Sequence, residues 1–249
     1  MKQGKRAMAG AVALIGLLAT AAPAIAADRV IAVSGVSKSH ADRFVEVLVA
    51  VPAGQSAKAA GDRALEAQGA KAKPEPPQSF GYSFTGLYWE NLPVVQNYNP
   101  AGSPQPLAKS ALDNTYPDWS SVSGSNYRIQ SGGTTTRCPS LVKECPGAQK
   151  NDRNNDVGWA RLANGTLGVT WSTSGIDEAD MAINTRYVWS TGCTAQAGAY
   201  DLESVILHEN GHVAGLGHST DVNAVMYPTY QTARCALAQD DKNGLAALY

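Results

Sequence analysis

"HENGHVAGLGH", residues 208–218, holds three of the chain's four histidines together with one glutamate and three glycines. His208 and His212 are four residues apart, a spacing that on an α-helix puts both rings on one face, one turn apart. Two imidazoles so placed can share one cation. Zinc takes a tetrahedron of nitrogen, oxygen or sulfur ligands, so two residues of one helix cannot complete a site. Gly215 can take a positive φ and stop the helix, Gly217 loosens the next turn, and His218 can swing back as third ligand. Three protein ligands leave a fourth position for water, the pattern of a catalytic rather than a structural site. Glu209 lies too far round the helix to be an equivalent ligand. It can instead face the open position, take a proton from the water there and later give it to a leaving amine.

The surrounding sequence supports a helix. In "YDLESVILHENGHVAG" (200–215), Asp201 stands where an N-cap belongs, and Val205 and Ile206 precede the histidines without a breaker. "QDDKNGLAALY" closes the chain as a shorter helix with acidic residues in its first turn, where the dipole favours them. "SPQPLAKSALDNT" reads as a further helix, entered through prolines and carrying Leu107, Ala108, Ala111 and Leu112 on one face. Strands are expected at "LPVVQNYN", "NYRIQSG", "GWARLA", "GTLGVTW" and "ADMAIN". "GTLGVTW" alternates, which places Leu167, Val169 and Trp171 on one side.

The chain begins with Lys2, Lys5 and Arg6, an apolar run from Ala9 to Thr20, and small residues at Ala24-Ile25-Ala26. Residues 1–26 therefore read as a secretory signal, too short and alanine-rich for a membrane span. Export places the rest in an oxidising space, where Cys138, Cys145, Cys193 and Cys235 form two disulfides. Three connectivities are open, and Cys138–Cys145 with Cys193–Cys235 is favoured. Residues 27–77 hold two β-like runs, an alanine-rich helix over Ser56–Gly69 and the proline-rich "KAKPEPPQS". They form a small pro- or accessory segment ending in an extended linker, and residues 78–249 form the main domain. The net charge of −1 and the lack of a long basic run argue against nucleic acid or an anionic membrane as partner.

His208, Glu209, His212, Gly215 and His218, followed by Met226 in "NAVMYPTY", resemble the H-E-x-x-H-x-x-G-x-x-H pattern and Met-turn of the metzincin peptidases. "GTLGVTW" and "EADMAINTRYVWST" extend the resemblance, from about Leu92 to Tyr249, to the matrixin branch. The resemblance implies an α+β, zincin-like domain: a twisted, mostly parallel five-stranded sheet with an antiparallel edge strand, plus three helices. It implies that Met226 is a hydrophobic floor beneath the metal and that Pro228 and Tyr230 wall the S1′ pocket. It further implies that "GTLGVTW" is the edge strand, beside which an extended peptide adds as a strand.

The sequence departs from that family in two respects. No cysteine precedes Cys138, so the cysteine latency device is missing, and only His40 remains outside the cluster. One zinc is therefore expected. Calcium is a second candidate ion, because Asp152, Asn154 and Asp156 supply oxygens at alternating positions. The glycine and final glutamate of an EF-hand are missing, which favours a solvated turn. The reading is a secreted, monomeric zinc endopeptidase acting on protein or peptide substrates. Its rivals are a secreted zinc-containing binding module without peptidase activity and a zinc hydrolase acting on a non-peptide substrate.

Overall fold

Alternating apolar runs and capped amphipathic segments build one sheet with helices on both faces in the computed structural model, which describes residues 27–38, 43–73, 81–139, 152–173 and 177–249. Strands β1 (Ala27–Ser37), β2 (Arg43–Pro52) and β3 (Ala70–Ala72) come from the N-terminal segment, with helix α1 (Ala57–Ala67) between the last two. The rest contributes β4 (Val94–Tyr98), α2 (Ala108–Ser120), β5 (Ile129–Thr134), β6 (Asn155–Ala160), β7 (Thr166–Thr173) and β8 (Ala179–Asn184). A short pair, β9 (Trp189–Ser190) and β10 (Tyr200–Asp201), leads into α3 (Leu202–Val213), and α4 (Gln239–Leu248) ends the chain.

The large sheet runs β3-β1-β2-β7-β8-β6-β4-β5. Within it, β8, β6, β4 and β5 are parallel and β7 is antiparallel to β8, the five-stranded arrangement expected of the catalytic-type domain. The sheet does not stop there. Strand β2 pairs antiparallel with β7 from Arg43↔Thr173 through Val49↔Thr166, and β1 pairs with β2. "GTLGVTW" is therefore an interior strand of this molecule, its free side covered by the N-terminal segment.

The pleat of β2 splits the core in two. Leu48 and Ala50 join a large cluster with α2, α3 and α4, while Val45, Val47, Val49 and Val51 join a smaller one with Ala60, Ala64 and Leu65 of α1. Helix α1 thus covers one face and α2–α4 the other. The expected one-sided row on β7 is broken. A register shift opposite Leu48 and Val49 leaves Leu167 as an extra residue, which turns it into the large cluster while Val169 and Trp171 face the small one. Leu107 also departs from its expected place. It precedes α2 and is 56% exposed, whereas Ala108, Ala111 and Leu112 are buried.

Residues 1–26, His40, Cys145 and most of the proline-rich linker lie outside the described residues, as does the Cys138–Cys145 pairing. The second expected disulfide, Cys193–Cys235, is present and ties the loop before α3 to the segment after Met226. Among the described residues, no helix is long and apolar enough to cross a membrane.

Candidate metal centre

Helix α3 begins as its sequence dictates. Asp201 accepts a hydrogen bond from Ser204 N at 2.8 Å and caps the first turn. The helix ends at Gly215, whose φ of +96° lets the chain turn back. A strap from the start of the main domain then fixes the returning loop. Ser83 Oγ donates to His218 O at 2.7 Å, Gly217 N donates to Ser83 O at 2.8 Å, and Thr85 N donates to Gly215 O at 2.9 Å. This carries His218 over to the two helical histidines.

The three imidazoles meet in the interior, with one ligand nitrogen from each lying within 4.8 Å of the others. His208 Nδ1 faces Val225 O at 2.7 Å and His212 Nδ1 faces Leu216 O at 2.9 Å. A carbonyl oxygen only accepts, so both Nδ1 atoms carry the proton and both Nε2 atoms present a lone pair. Those two lone pairs face each other at 3.1 Å. Burial, followed by the charge of His218, lowers the pKa of His208 to about 3, and burial likewise pushes His212 well below its usual value. A cation between the nitrogens would relieve the lone-pair contact. A tetrahedral zinc with bonds of about 2.0–2.1 Å has ligand-to-ligand edges of about 3.3–3.4 Å, near the separation of the His208 and His212 nitrogens.

Glu209 is buried on the same helix beside β7. Its carboxylate accepts a hydrogen bond from Thr170 Oγ1, and a Cβ on Gly168 would stand 3.1 Å from its Oε1. Burial raises its pKa to about 8, with the Thr170 hydrogen bond pulling down and the Glu46 carboxylate pushing up.

Met226 is buried against Gly211, and a side chain at Gly211 would collide with its sulfur. Sequence reading assigned no role to Gly211, although the glycine between the two helical histidines was a visible signal. It also missed the support of the methionine turn. Asp241, in the first turn of α4, accepts from Val225 N at 2.8 Å, Met226 N at 3.0 Å and Ala238 N at 2.8 Å. The acidic residue read only as a dipole partner is thus the anchor of the turn.

A cavity beside the histidines is lined by Leu48, Val205, His208, Tyr230 and Arg234, among others. Tyr230 walls it, and its hydroxyl accepts from Asp201 N at 3.0 Å. Pro228, expected as a second wall residue, is not among the lining residues. Its carbonyl accepts from Ala32 N of β1 at 2.6 Å. The candidate calcium loop is otherwise engaged. Asp156 pairs with Arg137 through two contacts of 2.9 Å, and Asp152 Oδ1 accepts from Asn154 N to close a turn.

Two histidines one helical turn apart, a third after a glycine break, a glutamate between them and a methionine turn define the metzincin class. The matrixin family model matches residues 150–249. Metalloendoproteinase 1 of Glycine max is 55% identical over 53 residues, 20% of this chain and 17% of its own. Interstitial collagenase of Equus caballus is 30% identical over 165 residues, 65% of this chain and 32% of its own. Metalloendoproteinase 4-MMP of Arabidopsis thaliana is 36% identical over 100 residues, 39% of this chain and 29% of its own. The chain is thus similar to the matrixins over residues 150–249. It spans about a third or less of the length of these curated relatives.

Proposed function

We propose that this chain is a secreted zinc endopeptidase, with residues 1–26 as its export signal and protein or peptide chains as its substrates. The observation that supports this most is the pair of Nε2 lone pairs facing each other at 3.1 Å, with Glu209 between the two residues on the same helix. His208, His212 and His218 would hold one zinc. Bound there, zinc supplies Lewis acidity toward a carbonyl and lowers the pKa of a water molecule. With that cation's charge beside it Glu209 would be ionised, and its carboxylate would serve as the proton carrier, accepting a proton and giving it to a departing amine. Val205, Tyr230 and Arg234 would receive a substrate side chain, and β7, once β2 has been withdrawn, would offer its backbone to an added strand. The Cys193–Cys235 bridge fits an oxidising compartment.

The test compares wild type with Glu209→Ala on a denatured protein mixture. Each is assayed before and after limited trypsin treatment, which can cut after the exposed Lys71. Wild type cleaves after treatment. The variant keeps its zinc and is slower by about 10²–10⁴-fold. Two folded, zinc-loaded and equally inert proteins would make the chain a binding module.

A further inference from the structure

Strand β2 presents one row of side chains to the metal centre and the opposite row to α1. Phe44, Leu48 and Ala50 on the first row pack in the large apolar cluster. Between them stands Glu46, a carboxylate only 4% exposed. Placing an ionised carboxylate in an apolar row is costly unless cations or donors compensate it, and an alkyl side chain would fill the space without that cost. Ser34 Oγ, from the neighbouring strand, donates to Glu46 Oε2 at 2.7 Å. The same oxygen lies 3.8 Å from His218 Nε2 and outside the converging set of three histidine nitrogens, so a rotation of the side chain is what would bring it onto the edge of about 3.3–3.4 Å that a zinc tetrahedron sets.

Two residues further on, Leu48 is 2% exposed and lines the cavity beside His208 with Val205, Tyr230 and Arg234. The backbone follows the same logic. Glu46 is opposite Thr170 and Leu48 is opposite Gly168, the two β7 residues that flank Glu209. On the far side, β1 bonds to the wall segment through Ala32 N to Pro228 O at 2.6 Å and Tyr230 N to Val30 O at 3.0 Å. The β1–β2 hairpin therefore fills the space between β7 and the wall, the two edges to which an extended peptide would bind.

We propose that Glu46 is a fourth metal ligand and that β2 is an internal pseudo-substrate, with Leu48 as its side-chain plug. The identity of the cleft rests on the peptidase reading above; the ligand assignment is read at the metal itself. Carboxylate and water compete for one coordination position, so the intact chain holds its metal closed without the cysteine that the sequence lacks. Opening requires the hairpin to leave. The i, i+2 spacing of Glu46 and Leu48 couples the two contacts, because a strand that withdraws one withdraws both.

The experiment uses the chain from residue 27 with cobalt in place of zinc, and acetohydroxamate as the probe for an open metal position. Wild type is compared with Glu46→Gln, which keeps the shape and removes the charge. An internal ligand reduces apparent probe affinity by the fraction of molecules that are open, so the variant binds at least about tenfold more tightly. Its visible cobalt bands also shift before any probe is added. Should the glutamine variant fail to fold, Glu46→Asp, which keeps the charge and shortens its reach by one methylene, shifts probe affinity in the same direction by a smaller factor. Equal bands and equal affinity in wild type and folded variant overturn the proposal, even if both cleave peptides. Altered bands and tighter probe binding uphold it, even if neither cleaves; in that case the peptidase reading alone fails.

Discussion

The two apolar clusters on either side of the sheet are built by different means. The cluster under α2–α4 is pinned by directed bonds. Trp119 Nε1 donates to Leu207 O, Trp89 Nε1 to Val213 O and Trp159 Nε1 to Tyr98 Oη. The cluster under α1 consists largely of Val45, Val47, Val49 and Val51 against Ala60, Ala64 and Leu65. Apolar burial is non-directional, whereas an indole N–H that donates fixes the angle and distance to its acceptor. The first kind of core holds individual atoms in place, as three converging ring nitrogens require. The second holds a segment against a surface and leaves atomic register to the strand ladder.

That contrast can be broken by three substitutions. The largest effect is expected at Asp241, whose carboxylate serves three backbone amides. Asp241→Ala leaves those amides without their acceptor and should cost about 3–4 kcal/mol in urea unfolding, together with a rise in zinc loss to chelators. Retained stability and retained zinc would show that the methionine turn is held by packing alone. Leu65→Ala should cost about 2–3 kcal/mol through the cavity it leaves. Hydrogen exchange should quicken in β1 and β2 while α3 keeps its protection. Equal loosening of α3 would mean that the two clusters act as one cooperative unit. The smallest effect belongs to Lys58→Ala. It removes an exposed pair with Asp62, and the melting free energy should move by about 0.5 kcal/mol or less. A larger change would mean that α1 depends on surface charge and not on Leu65.

Much of the metal centre was legible because its signals are local. The cap at Asp201, the four-residue histidine spacing and the break at Gly215 all act within one helix and the turn after it. The five-stranded part of the sheet was legible from alternation and from the family resemblance. What escaped was the pairing of strands far apart in sequence. No local pattern says that Glu46 will lie opposite Thr170, since loop closure over such a distance leaves no periodic trace. The glutamate within the apolar run of "RFVEVLVAVP" was nevertheless visible, as a residue that contradicts its own strand. Asp241 was underread for a related reason. Its helix position explains an acidic residue but not which distant amides it will receive. The bulge that reverses Leu167 depends on the partner strand, and one strand read alone cannot reveal it.

The sheet's β2–β7 junction carries a cost for any molecule that has shed its first three strands. With β2 gone, β7 becomes a long apolar rim with unpaired amides and carbonyls, the kind of edge that recruits other chains and seeds aggregates. Shelf life in solution would then depend on what next covers that rim, whether a foreign peptide or another copy.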